Sequence, residues 1–96
     1  MPSRARKIDR NQTEVVEALR EIGASVQILS AVGKGCPDLL CGYRGSNYLL
    51  EVKDGKLPPS GRRLTPDQKE WHAKWHGQVV VVDDWSMAVL TVRGGL

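Results

Sequence analysis

The sequence predicts an α/β fold of element order αβββαβ around a mixed central sheet, with a short C-terminal helix as an optional addition. Three observations carry this. Val15, Ala18, Leu19 and Ile22 recur at helical spacing. Two short apolar runs, residues 37–42 and 48–53, flank a turn rich in Gly, Ser and Asn, which is the signature of a hairpin. The stretch 78–82 is almost continuous valine, and a helix start at Leu64-Thr65-Pro66-Asp67 separates it from the hairpin.

The elements follow in order. Residues 1–8 hold Arg4, Arg6 and Lys7 with little apolar content and read as a mobile basic arm. The first helix spans 9–22, capped by Asp9 or Asn11 and stopped by Gly23. Glu14 sits at the margin of its apolar stripe, where a side chain can reach past the core to a sheet edge. Residues 24–29 alternate, Val26 and Ile28 against Ser25 and Gln27, and form a strand. The loop 30–35 carries Gly33, Lys34 and Gly35 without P-loop spacing, so its glycines are expected to admit a polyanion backbone close to Asp38. Beyond the hairpin, the loop 54–63 holds Lys56, Arg62 and Arg63 and reads as a substrate-gripping flap or a plain connector. The second helix runs from Pro66 to about His76, with Thr65 as cap, Pro66 in the first turn and Asp67 suited to the dipole. Its face of Gln68, Trp71, His72 and Trp75 is expected to be mostly core. Residues 78–82 read as a strand buried on both faces, 85–92 as a short helix and 93–96 as a tail.

Ninety-six residues make one domain, 1–96, with a modest core. No apolar run has membrane-spanning length and no signal-peptide pattern precedes the first helix, so a cytoplasmic protein is expected. Cys36 and Cys41 do not form a disulfide framework there. The net charge is +3 from 14 basic and 11 acidic residues. Setting aside Asp38, Glu51, Glu14 and Lys53 leaves 13 basic against 8 acidic side chains, a surface suited to a polyanion.

The hairpin concentrates the chemistry. Period two puts Glu51 and Lys53 on one face and Val52 on the other. A loop centred on Arg44-Gly45 sets Asp38 opposite Glu51, and a longer loop through Asn47 sets it opposite Lys53. Either register gathers two carboxylates and an ammonium near the open end. Two carboxylates so close repel unless a cation lies between them, and hard oxygen ligands favour Mg²⁺ or Mn²⁺.

Pro37-Asp38, a short gap, then Glu51-Val52-Lys53 resembles the core of the PD-(D/E)XK nuclease superfamily. The fuller pattern is similar to its VRR-Nuc branch, in particular to small stand-alone phage and prophage proteins. It comprises Glu14 on an upstream helix, Gly35-Cys36-Pro37-Asp38-Leu39-Leu40, Glu51-Val52-Lys53, and Leu64-Thr65-Pro66-Asp67-Gln68 opening a later helix. The resemblance implies a restriction-endonuclease-like core and Mg²⁺- or Mn²⁺-dependent endonuclease activity on DNA. Asp38, Glu51, the Val52 carbonyl and Glu14 would hold metal, Lys53 would act on water and phosphate, and Gln68 would bond the attacking water or a phosphate. Arg4, Arg6, Lys7, Arg10, Lys34, Lys56, Arg62 and Arg63 are the candidate DNA contacts. Paired sites in a homodimer and branched or four-way DNA are the expected assembly and substrate, since no base-reading motif is present. Two other readings stand beside this: a nucleic-acid-binding module of the same fold without activity, and a zinc protein using Cys36, Cys41, His72 and His76, whose spacing fits poorly.

Overall fold

The structure, a computed structural model, describes residues 10–94. The basic arm with Arg4, Arg6 and Lys7 lies outside the described residues.

Helix α1 (Arg10–Glu21) turns Val15, Val16 and Leu19 inward. Strands β1 (Ser25–Ile28), β2 (Leu39–Tyr43) and β3 (Ser46–Val52) form an antiparallel meander, and β4 (Val80–Val82) joins β3 in parallel. The order β1-β2-β3-β4 makes a mixed sheet, as expected. Helix α2 (Pro66–Lys74) connects β3 to β4, after a 3-10 turn at Pro59–Arg62. Helix α3 (Trp85–Gly94) completes the chain and settles the optional C-terminal element as helical. Asp84 caps it, accepting hydrogen bonds from Met87 N at 2.8 Å and Ser86 Oγ at 2.9 Å, which hold its carboxyl below the usual range.

One face of the sheet is the core. Leu39, Cys41 and Tyr43 of β2, Tyr48, Leu50 and Val52 of β3, and Val82 of β4 pack under α1 and α3, which add Ala88 and Val92. Truncating a wholly buried residue such as Leu50 to Ala removes apolar burial and leaves a cavity, at a cost of about 2–5 kcal/mol.

The hairpin pairs Leu39 with Leu50 and Tyr43 with Ser46, leaving a two-residue loop, Arg44-Gly45. Both loop residues have positive φ, 50° and 83°, the type I′ geometry whose twist matches antiparallel strands. This selects the shorter of the two registers considered. Continued by one residue, it sets Asp38 opposite Glu51.

Two expectations are corrected. Strand β4 is not buried on both faces. It is the sheet's edge, with Val82 buried and Val81 36% exposed, because helices cover its core side alone. The α2 face is not core either: no α2 residue is buried. Trp71 and Trp75 stack on each other with centroids 4.6 Å apart. The helix stops at Lys74, short of His76, where Trp75 turns to extended backbone and its Nε1 donates to Gln78 O.

Candidate active site

Alternation along β3 sends Leu50 and Val52 into the core and Glu51 to the opposite face. There Glu51 is still only 1% exposed, because the start of α2 lies over it. Burial, then the neighbouring Asp38 carboxylate, push its carboxyl up to about 8, with Lys53 opposing. Asp38 is fixed by backbone: its Oδ2 accepts from Val52 N at 2.8 Å.

Gln68 ties the group together. Its Oε1 accepts from Lys53 Nζ at 2.7 Å, and its Nε2 donates to Glu51 Oε2 at 3.1 Å. The same Oε1 accepts from Thr65 N, while Thr65 Oγ1 accepts from Gln68 N, closing a capping box. Helix capping and site assembly therefore share one side chain. The sequence reading gave Gln68 to water or phosphate, whereas these hydrogen bonds go to protein groups. Lys53 Nζ stands 3.9 Å from Glu51 Oε2.

Gly35 explains how α2 comes so close. Its φ is +84°, and a side chain there would collide with the Asp67 carbonyl and the Gln68 backbone. The glycine makes room for α2. Asn11 anchors α1 from the other side, its Nδ2 donating to Lys53 O at 2.6 Å and Asp83 O at 3.2 Å.

A cleft of about 650 Å³ opens onto Asp38, Glu51, Lys53 and Gln68. Its α1 wall contains Gln12, Thr13 and Glu17, not Glu14. The metal role that the resemblance implies for Glu14 therefore has no contact with this cleft to support it. Val16 joins Val15 and Leu19 in the core, and that rotation of the helix leaves Glu14 exposed.

The basic candidates divide. Arg10, Lys56 and Arg63 are exposed. Lys34, at φ 56°, borders a shallow hollow with Asp67 and Trp71 away from the main cleft. Arg62 is engaged with Asp83 at 3.5 Å, and Gly55 N also donates to Asp83 O, so both ends of the loop are tied to the end of β4. Arg20, which the sequence reading passed over, lines the cleft and donates to Val26 O.

His72 is expected from the sequence only as part of the mostly buried α2 face or of the zinc set. It lies one helical turn beyond Gln68, with Nε2 at 3.9 Å from Glu51 Oε1. Spacing of four residues from Gln68 was the signal that could have found it. Burial, then Lys53, hold its imidazole below the usual range.

Two features bear on a cation. Glu51 Oε1 is buried with no hydrogen-bond partner, and the Asp38 carboxylate crowds the same residue. Buried carboxylate oxygen left unpaired is costly and is relieved by a hard cation, so the donor set fits Mg²⁺ or Mn²⁺. Among the described residues no three of His, Cys, Asp and Glu form a metal cage, so a fit requires backbone carbonyl and water as further ligands. The zinc set does not converge: Cys41 is wholly buried in the core, while Cys36 lies near Glu51 and Asp38, its thiol pushed up by burial and then by their charges.

The fold matches a solved structure described as a "VRR_NUC domain", with TM-score 0.65, 28% identity, and coverage of 91% of this chain and 95% of that one. The chain has a VRR-Nuc nuclease-like fold. No family model and no curated protein matches the sequence. The VRR-Nuc likeness covers most of the chain and points to a nuclease-type function. Among the described residues no helix is long and apolar enough to cross a membrane.

Proposed function

We propose that the chain is a Mg²⁺- or Mn²⁺-dependent endonuclease that hydrolyses phosphodiester bonds in DNA, acting as a homodimer on branched or four-way DNA. The observation that carries the nuclease reading is the convergence of Asp38, Glu51, Lys53 and Gln68 on one open cleft, with Gln68 bonded to both Glu51 and Lys53. Branched DNA is favoured because no base-reading element is present among the described residues and two-fold pairing of copies matches four-way symmetry. Exposed Met87 and Leu90, one turn apart on α3, supply apolar surface for such pairing. Cytoplasmic residence fits a DNA substrate.

Asp38, Glu51 and the Val52 carbonyl would hold the cation. When bound, it neutralises phosphate charge and makes a coordinated water more acidic. The rest is done by the chain. Lys53, held by Gln68, directs an ammonium at the reacting phosphate, where it offsets the negative charge that develops and orients the attacking water. Gln68 keeps that ammonium and the Glu51 carboxylate in fixed relation, so little reorganisation accompanies the reaction. Exposed Arg10, Lys56 and Arg63 are proposed to hold flanking phosphates, and the arm residues Arg4, Arg6 and Lys7 to extend the track.

The test separates binding from cutting. Asp38→Asn removes a charge that repels phosphate, Glu51→Gln replaces a carboxyl that largely keeps its proton when no cation is bound, and each weakens a hard-cation ligand. In EDTA both should bind DNA at least as tightly as wild type by anisotropy. In Mg²⁺ both should cut at least ~10²-fold more slowly in single turnover, a loss of several kcal/mol of transition-state stabilisation. Folded variants cutting at wild-type rates would sink the assignment. Wild-type binding without cleavage on linear, nicked, flapped and four-way DNA would instead establish a non-cleaving module. Equal cleavage of linear and four-way DNA by a monomer in sedimentation would remove the substrate and dimer proposals.

A further inference from the structure

Glu51 is contacted by α2 at two levels. Gln68, in the first turn, donates to Oε2. His72, one turn later, faces Oε1 across 3.9 Å. That gap is too long for a hydrogen bond. Yet both atoms are sealed from solvent and neither has another partner. An unpaired acceptor and an imidazole nitrogen able to donate thus face each other inside the protein. A side-chain rotation of about 1 Å brings them to bonding distance and relieves both.

His72 does not line the cleft, although Gln68 and Glu51 do. Its Nε2 is sealed from solvent and faces Glu51 Oε1 instead of opening onto the cleft. Any role in the chemistry passes through Glu51.

We propose that His72 is a positioning residue that donates from Nε2 to Glu51 Oε1, so that Gln68 and His72 grip the two carboxylate oxygens and fix the orientation in which Glu51 binds a divalent cation. The proposal rests on the metal-site reading above. Ligating carboxylates are commonly oriented by a second ring of hydrogen bonds, whose loss weakens metal binding about 10–100-fold. The i, i+4 spacing on α2 delivers the two donors from one rigid element, itself locked by the Thr65–Gln68 capping box. Glutamine at position 72 can carry a donor nitrogen nearly as far as imidazole Nε2. Asparagine falls one bond short.

The experiment is Mn²⁺ binding to the full chain without DNA, followed by electron paramagnetic resonance of the free ion, with Asp38→Asn to define the site. His72→Leu should weaken binding by ~10–100-fold. His72→Gln should return it to within a few-fold of wild type, and His72→Asn should not. DNA affinity in EDTA should be the same in all three, as His72 does not face the cleft. If His72→Leu is folded and binds Mn²⁺ like wild type, or if Gln and Asn are equally impaired, the proposal is overturned. Should His72→Leu fail to fold, the Gln–Asn contrast decides. Wild-type protein binding no Mn²⁺ would overturn the metal-site reading and this inference with it. Binding lost in Asp38→Asn yet intact in the His72 variants would overturn the inference alone.

Discussion

Consider the cation-free protein as pH rises. A carboxyl at Glu51 ionises near 4.5 in an unfolded chain and at about 8 in the fold, chiefly because it is buried and secondly because Asp38 is beside it. Between those values the folded state holds a proton that the unfolded state has released, so stability falls with increasing pH. Below the lower value both states are protonated and nothing is lost. Above the upper value both are ionised and the full penalty applies. About two and a half pH units separate the lower value from pH 7, and at about 1.4 kcal/mol per unit the penalty there is on the order of 3 kcal/mol. A domain of this size has roughly 5–15 kcal/mol in all, so the effect is large. Glu51→Gln abolishes it. In EDTA, urea melts followed by circular dichroism should show wild type losing stability from pH 5 to pH 8 and the variant losing much less. The variant's advantage at pH 7 over its standing at pH 4 corresponds to a melting shift on the order of 10–20 °C. Mn²⁺ should restore the wild type with release of protons and leave Glu51→Gln largely unmoved. Parallel pH profiles for the two metal-free proteins would refute the claim that burial and Asp38 outweigh Lys53 and Gln68 at Glu51.

Lys53→Ala keeps the carboxylates but loses a cation, so DNA binding in EDTA should weaken slightly while single-turnover cleavage in Mg²⁺ is lost. Gly35→Ala meets both a left-handed backbone and the Asp67 carbonyl, and should destabilise by more than ~1 kcal/mol and depress cleavage. Gly42→Ala, whose new methyl meets only ordinary contacts, is the matched control, and equal melting of the two would contradict the α2 packing. Thr65→Ala removes the cap and should cost ~1 kcal/mol in denaturant titrations. A loss in cleavage rate beyond what unfolding explains is also expected, because the Gln68 backbone N–H loses its acceptor and the helix start that carries the Gln68 side chain is held less firmly, even though that side chain keeps its bond to the residue-65 N–H. Arg62→Ala breaks a half-exposed ion pair and should change stability by less than ~1 kcal/mol.

Element order, the hairpin, the Thr65 cap and the grouping of Asp38, Glu51 and Lys53 were all legible in the sequence. Each depends on local rules: apolar periodicity, the turn chemistry of Arg44-Gly45, and pairing that turns one loop into a register for every residue behind it. What the sequence left open is how separate elements lie against one another. The rotation of α1 is decided by Val16 entering the core, and that turns Glu14 out and brings Glu17 to the cleft wall. The valine run of β4 reads as buried, yet the edge position leaves Val81 exposed, since strand order is a tertiary fact. Gly35 looks like a loop glycine until α2 is seen packed against it. His72 has no motif value by itself and acquires meaning only because α2, docked through Gly35 and Gln68, sets it behind Glu51. Local chemistry thus determined which residues could act, while close packing between distant segments decided which of them meet.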